Sequence, residues 1–131
     1  MVCLETTFAV DLLRGNKIAK EKLTFLESIG EKLTIASPTI AELISGAILN
    51  PKNKNERENV IGLISSFNVL SLDKDSAIKS GEIEAELIRR GEPIQTDDIM
   101  IGAIALQNNE ALVTRNKKHF ERIKGLKIEE Y

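Results

Sequence analysis

The chain of 131 residues carries one cysteine, one histidine and no tryptophan, and only 4% of its residues are aromatic. A single cysteine excludes a disulfide framework, and with a single histidine it also excludes the usual Cys/His zinc sites. Sparse aromatics argue against an RNA platform built on base stacking. Neither charge sign dominates: 18 basic residues face 20 acidic ones, for a net charge of −2. A globally basic nucleic-acid coat is excluded, while a local basic patch is not. No apolar run approaches the ~18 residues of a membrane span. The N-terminal apolar stretch is broken at Glu5 and Asp11, too early for a signal sequence, and neither end carries a lipidation signal. A cytoplasmic protein with no membrane attachment is expected. Aspartate is also scarce, limited to Asp11, Asp73, Asp75, Asp97 and Asp98.

What is present is a hydrophobic fraction of 42%, enough for a buried core in one domain spanning residues 1–131. Cys3 lies in an apolar stretch and reads as an inert buried thiol. There is no internal repeat. The polar segment Asn50-Pro51-Lys52-Asn53-Lys54-Asn55 reads as a helix–helix connection.

The elements alternate. Val2-Cys3-Leu4, Leu33-Thr34-Ile35, Asn68-Val69-Leu70 and Ala111-Leu112-Val113 are short apolar strands, with a possible edge strand at Leu126-Lys127-Ile128. Helices are predicted at residues 16–29, 56–66, 73–90, 96–107 and 117–123. Another begins at Ser37-Pro38, with Ser37 as N-cap and Pro38 in the first turn. It carries a stripe of Ile40, Leu43, Ile44, Ala47 and Ile48. Thr96 is the expected cap of its helix. Strands alternating with helices predict an α/β fold with a mostly parallel sheet covered on both faces. Ligands bind such sheets beyond the carboxyl ends of the strands, where strand order reverses.

Polar residues cluster in sequence at those ends. Glu5 follows the first strand and Thr114-Arg115-Asn116 the fourth. Glu42 lies early in the Ser37 helix, and Asp97 and Asp98 open the helix after Thr96. Each has a plainer reading: Asp97 and Asp98 complement a helix dipole, Glu42 lies on a solvated face, and Glu5 and Asn116 are turn residues. Converged, however, the carboxylates must hold protons or share a cation. Oxygen-only ligands favour Mg²⁺ or Mn²⁺, which suits phosphodiester hydrolysis. No Gly-rich phosphate loop and no Ser/His/Asp arrangement is visible. A phosphatase on another α/β fold would want Asp-x-Asp after the first strand, where Glu5-Thr6-Thr7 stands.

Four segments in order resemble PIN-domain ribonucleases, specifically VapC-like toxins of toxin–antitoxin pairs. They are the opening Met1-Val2-Cys3-Leu4-Glu5-Thr6-Thr7 strand and turn, running on to Gly15; Ser37-Pro38-Thr39-Ile40-Ala41-Glu42-Leu43; Gly91-Glu92-Pro93-Ile94 with Asp98-Ile99-Met100-Ile101-Gly102-Ala103; and Leu112-Val113-Thr114-Arg115-Asn116-Lys117-Lys118-His119-Phe120. The resemblance implies a three-layer α/β/α fold and an Mg²⁺- or Mn²⁺-dependent endoribonuclease. It also implies a homodimer and a VapB-like antitoxin that inserts a peptide into the pocket. Carried over by position, the metal ligands are Glu5, Glu42 and Asp98, with Asn116 in the fourth place. Thr6 and Thr114 orient carboxylates, and Asp97 neighbours the favoured Asp98. Arg14, Lys17, Arg115, Lys117 and Lys118 are candidates for guiding the RNA backbone.

Two departures from the family pattern stand out. Glu5 replaces the usual Asp, and a second reading is therefore a catalytically weak or inactive domain that binds RNA or antitoxin. His119 stands where many relatives carry Asp; it can ligate metal, contact phosphate, or lie on the surface beside Lys117 and Lys118.

Overall fold

A computed structural model of the chain describes residues 1–50 and 54–131. Its elements run β1 (Val2–Leu4), α1 (Thr6–Leu13), α2 (Lys17–Ser28), β2 (Leu33–Ala36), α3 (Ser37–Leu49), α4 (Glu56–Ile64), β3 (Asn68–Leu70), α5 (Lys74–Arg89), α6 (Thr96–Gln107), β4 (Ala111–Val113), α7 (Lys117–Phe120) and β5 (Ile128–Glu129). Residues 51–53 of the expected helix–helix connection lie outside the described residues.

The described strands form one parallel sheet in the order β3-β2-β1-β4-β5. Strand order reverses between β1 and β4, whose registers pair Val2 with Ala111 and Leu4 with Val113. The pleat sends alternate side chains to opposite faces. Cys3 and Leu112 pack with Leu87 of α5, Ile101 and Ile104 of α6, and Phe120 of α7. Val2, Leu4 and Val113 pack with Phe8 of α1 and with Ala19 and Leu26 of α2. On that second face, Ile35 of β2 meets Leu43 and Ala47 of α3 and Val60 of α4. The result is the three-layer α/β/α arrangement expected from the alternation.

Three local expectations are corrected. Residues 6–13, expected as strand and turn, form helix α1; Thr6, Thr7 and Val10 are β-branched and weaken the helical signal in the sequence. Ser37 is not an N-cap: Ala36 holds that position, and Ser37 Oγ accepts from Leu72 N–H at 3.1 Å, tying the exit of β3 to α3. Thr96 is likewise inside its helix, with Gln95 at the cap, and donates to Glu84 Oε2 at 3.1 Å. The ends of α4, α7 and β5 shift by a few residues from those predicted. Pro38 does occupy the first turn of α3, and Asp73 caps α5 through a reciprocal pair with Ser76.

One glycine sets a close approach that bears on the site. A methyl group at Gly102 of α6 would meet Ile123 Cδ1 at 2.5 Å. The missing Cβ lets the segment after α7 seat against α6, which carries Asp97 and Asp98.

Candidate active site

β1 and β4 are adjacent, so the residues that leave them meet at the sheet's carboxyl edge. Glu5 is 2% exposed and Thr114 fully buried. Glu5 Oε2 accepts three hydrogen bonds, from Thr7 N–H (3.1 Å), Thr7 Oγ1 (2.5 Å) and Thr114 Oγ1 (2.7 Å). The first makes Glu5 the N-cap of α1. Three donors on one oxygen offset the cost of taking this polar group out of water.

α3 and α6 deliver the remaining carboxylates. Thr6 Oγ1 donates to Glu42 Oε1 at 2.8 Å and lies 3.2 Å from Thr39 Oγ1. Asp97 and Asp98 occupy the first turn of α6, where Asp98 N–H donates to Asp97 Oδ1 at 3.1 Å. Glu42, Asp97 and Asp98 each offer one oxygen, and the three lie within 4.8 Å of one another. Glu5 is outside that group, though close enough for its charge to act on Asp98.

Such crowding shows in the acidities. Glu42 is pushed up to about 7, first by burial and then by Asp97 and Asp98, with the Thr6 hydrogen bond opposing. Asp98 rises to about 6, again chiefly through burial, followed by the charges of Asp97 and Glu5; His119 opposes. Carboxylates in this position retain protons unless a cation neutralises them. Ligand oxygens lie 2.0–2.1 Å from Mg²⁺, so any two are at most ~4.2 Å apart. The oxygen-only donor set and its spacing therefore fit Mg²⁺ or Mn²⁺ with a small adjustment of side chains.

On the β4 side, Asn116 N–H donates to Thr114 Oγ1 at 2.9 Å, and its Nδ2 lies 2.9 Å from His119 Nδ1. The same His119 nitrogen is 3.9 Å from Asp98 Oδ2. His119 is thus half-exposed, but at the lip of the acidic cluster and not merely on a basic surface. Asn116 reaches the cluster through His119.

The basic candidates spread more widely. Arg14 and Glu42 line one groove of about 490 Å³ between α1, α3 and α4. Arg115 pairs with the buried Asp11 at 3.3 Å, and Lys117 with the exposed Glu130 at 3.1 Å. Lys17 is exposed at the start of α2. Lys118 faces a separate shallow groove shared with Arg90, Arg122 and Lys124. Sequence reasoning missed Thr7 and the pair formed by Asp11 and Tyr131, whose Oη donates to Asp11 Oδ2 at 2.6 Å. A helical reading of residues 6–13 would have turned Asp11 toward the core.

Comparison with known proteins adds an independent line. The family model described as PIN domain matches residues 2–126. The tRNA(fMet)-specific endonuclease VapC of Salmonella typhimurium is 39% identical over 100 residues, 76% of each chain. The protein of the same name from Shigella flexneri is 34% identical over 128 residues, 98% of this chain and 96% of the relative. Among solved structures, VapBC2 from Rickettsia felis bound to a DNA fragment from its promoter superposes with a TM-score of 0.90 at 26% identity, covering 100% of this chain and 99% of the other. DNA-bound VapBC from Salmonella typhimurium gives 0.83 at 34% identity, covering 99% and 98%.

Proposed function

The chain belongs to the PIN domain family, and on that premise we propose that it is a VapC-like endoribonuclease that hydrolyses RNA phosphodiester bonds with Mg²⁺ or Mn²⁺ and is neutralised by a VapB-like antitoxin. The observation that carries this reading is the convergence of Glu42, Asp97 and Asp98 within 4.8 Å, beside the buried Glu5, where the strand order reverses.

Glu42 and Asp98 would hold the ion, with Glu5 in the same acidic pocket. Bound there, it would supply an activated water and offset the charge that builds on the phosphate. Thr6 fixes the orientation of Glu42 through its hydroxyl, and Thr114 does the same for Glu5. Asn116 holds His119 beside Asp98. Arg14, Lys17, Arg115, Lys117 and Lys118 guide the RNA backbone; they position it without reading sequence. Two relatives are named for tRNA(fMet), so that tRNA is the first substrate to try.

The partner reading draws on the VapBC structures among the similar folds. A homodimer in the cytoplasm is part of the same proposal. Among the described residues no helix is long and apolar enough to cross a membrane.

The test is cleavage of initiator tRNA and a second structured RNA by the purified chain, with Mg²⁺ or Mn²⁺, with and without chelator. Cleavage that needs the ion, is lost in Asp98→Ala and is blocked by the antitoxin supports the proposal. Cleavage that survives in Asp98→Ala sinks it. Cleavage gained only in Glu5→Asp would instead favour a binding module that has lost its activity.

A further inference from the structure

On the reading that this rim holds a divalent ion, we propose that Asp97, and not Glu5, supplies the third carboxylate ligand, while Glu5 is a buried positioning residue for Thr7 and Thr114. The proposal concerns which residues of this chain meet the ion, and it departs from the positional expectation of Glu5, Glu42 and Asp98.

Spacing is the first argument. Donor oxygens around Mg²⁺ are at most ~4.2 Å apart. Among the described residues, Glu42, Asp97 and Asp98 form the group that approaches this limit, at 4.8 Å or less, and Glu5 is not in it.

The second argument is what each side chain already does. Glu5 Oε2 is committed to Thr7 N–H, Thr7 Oγ1 and Thr114 Oγ1. Swinging it toward the ion would leave the first turn of α1 without its cap. It would also leave the Thr114 hydroxyl, fully buried, without its acceptor. Asp97 is less committed. It is half-buried; Oδ1 accepts the N–H of the next residue, Asp98, and its carboxyl shares a hydrogen bond with that of Glu42. That second bond lies within the acidic group itself, so Asp97 can turn toward a cation shared with Glu42 without uncapping a helix.

Mn²⁺ titration of the intact chain by calorimetry, at mildly alkaline pH, decides the matter. Asp97→Asn should lower Mn²⁺ affinity by roughly tenfold or more without lowering the melting temperature of the ion-free chain, because it removes a charge that crowds Glu42 and Asp98. Glu5→Gln should keep wild-type affinity and melt earlier, because Thr7 and Thr114 lose a charged acceptor. Wild-type affinity in Asp97→Asn overturns the proposal even if Glu5→Gln fails to fold. A loss confined to Glu5→Gln overturns it as well. If the wild-type chain binds no Mn²⁺, the ion-dependent reading itself falls, and this proposal with it.

Discussion

Glu110 precedes β4 and Glu5 follows its neighbour β1, so the centre of the sheet carries a buried glutamate at each end. The two are equally withdrawn from solvent, at 3% and 2% exposure. Glu110 accepts from the Thr34 hydroxyl at 2.6 Å, and Thr34 also lies 3.2 Å from the carbonyl of Val2. That contact staples the start of β4 to β2 across β1. Glu5 is better hydrogen-bonded, yet it lies beside Asp98, with Glu42 and Asp97 in the same cluster. Burial of a carboxylate is thus common to both ends; among the described residues, convergence of carboxylates marks only the carboxyl end. The difference follows from topology, since parallel strands send all their following residues to one rim and the reversal between β1 and β4 opens a gap there.

The largest separation between the two ends should come from Asp98→Ala. RNA cleavage should fall at least about a hundredfold, as expected when a metal site is disrupted, whereas Glu110→Gln should cleave at the wild-type rate. Equal losses in the two variants would erase the distinction. Next in size is Glu110→Ala, which leaves the buried Thr34 hydroxyl without its carboxylate acceptor. Denaturant unfolding should report a loss of about 1–3 kcal/mol, with Mn²⁺ affinity unchanged.

A third effect belongs to the carboxyl end alone. In the ion-free chain, Glu42 titrates near 7 instead of 4.5 and Asp98 near 6 instead of 3.8. The folded state then binds more protons than the unfolded state between those limits. Stability contributed by these two groups is therefore fully present at low pH and is lost as pH rises through 6 and 7. Saturating Mn²⁺ should flatten or reverse the slope, a shift readable as melting temperature against pH. The smallest effect is Lys117→Ala. Its pair with Glu130 is more than half exposed on both sides, so stability should barely move, while the salt dependence of RNA binding should lose about one unit of slope if Lys117 touches phosphate.

Much of this arrangement is legible in the sequence because parallel α/β folds convert order along the chain into position on one rim. Short apolar runs located β1, β2, β3 and β4, and the polar residues after them became the site. What was hidden depends on tertiary partners. Ser37 and Thr96 look like caps, but their hydroxyls serve Leu72 and Glu84 instead. Asp97 and Asp98 are adjacent in one helical turn, so spacing alone cannot rank them against Glu42. Asp11 and Tyr131 are 120 residues apart, and nothing local joins them. His119 has the sequence setting of a surface residue beside Lys117 and Lys118; the packing of Phe120 against α6 brings it to Asp98.

The central claim is that the carboxylates at the carboxyl rim act by holding a divalent ion for RNA cleavage. It is tested most directly by following Mn²⁺ binding and cleavage of one end-labelled RNA in the same titration. A single midpoint, shared by binding and cleavage and removed by chelator, is the predicted result. Cleavage that proceeds at full rate before any Mn²⁺ is bound would contradict it.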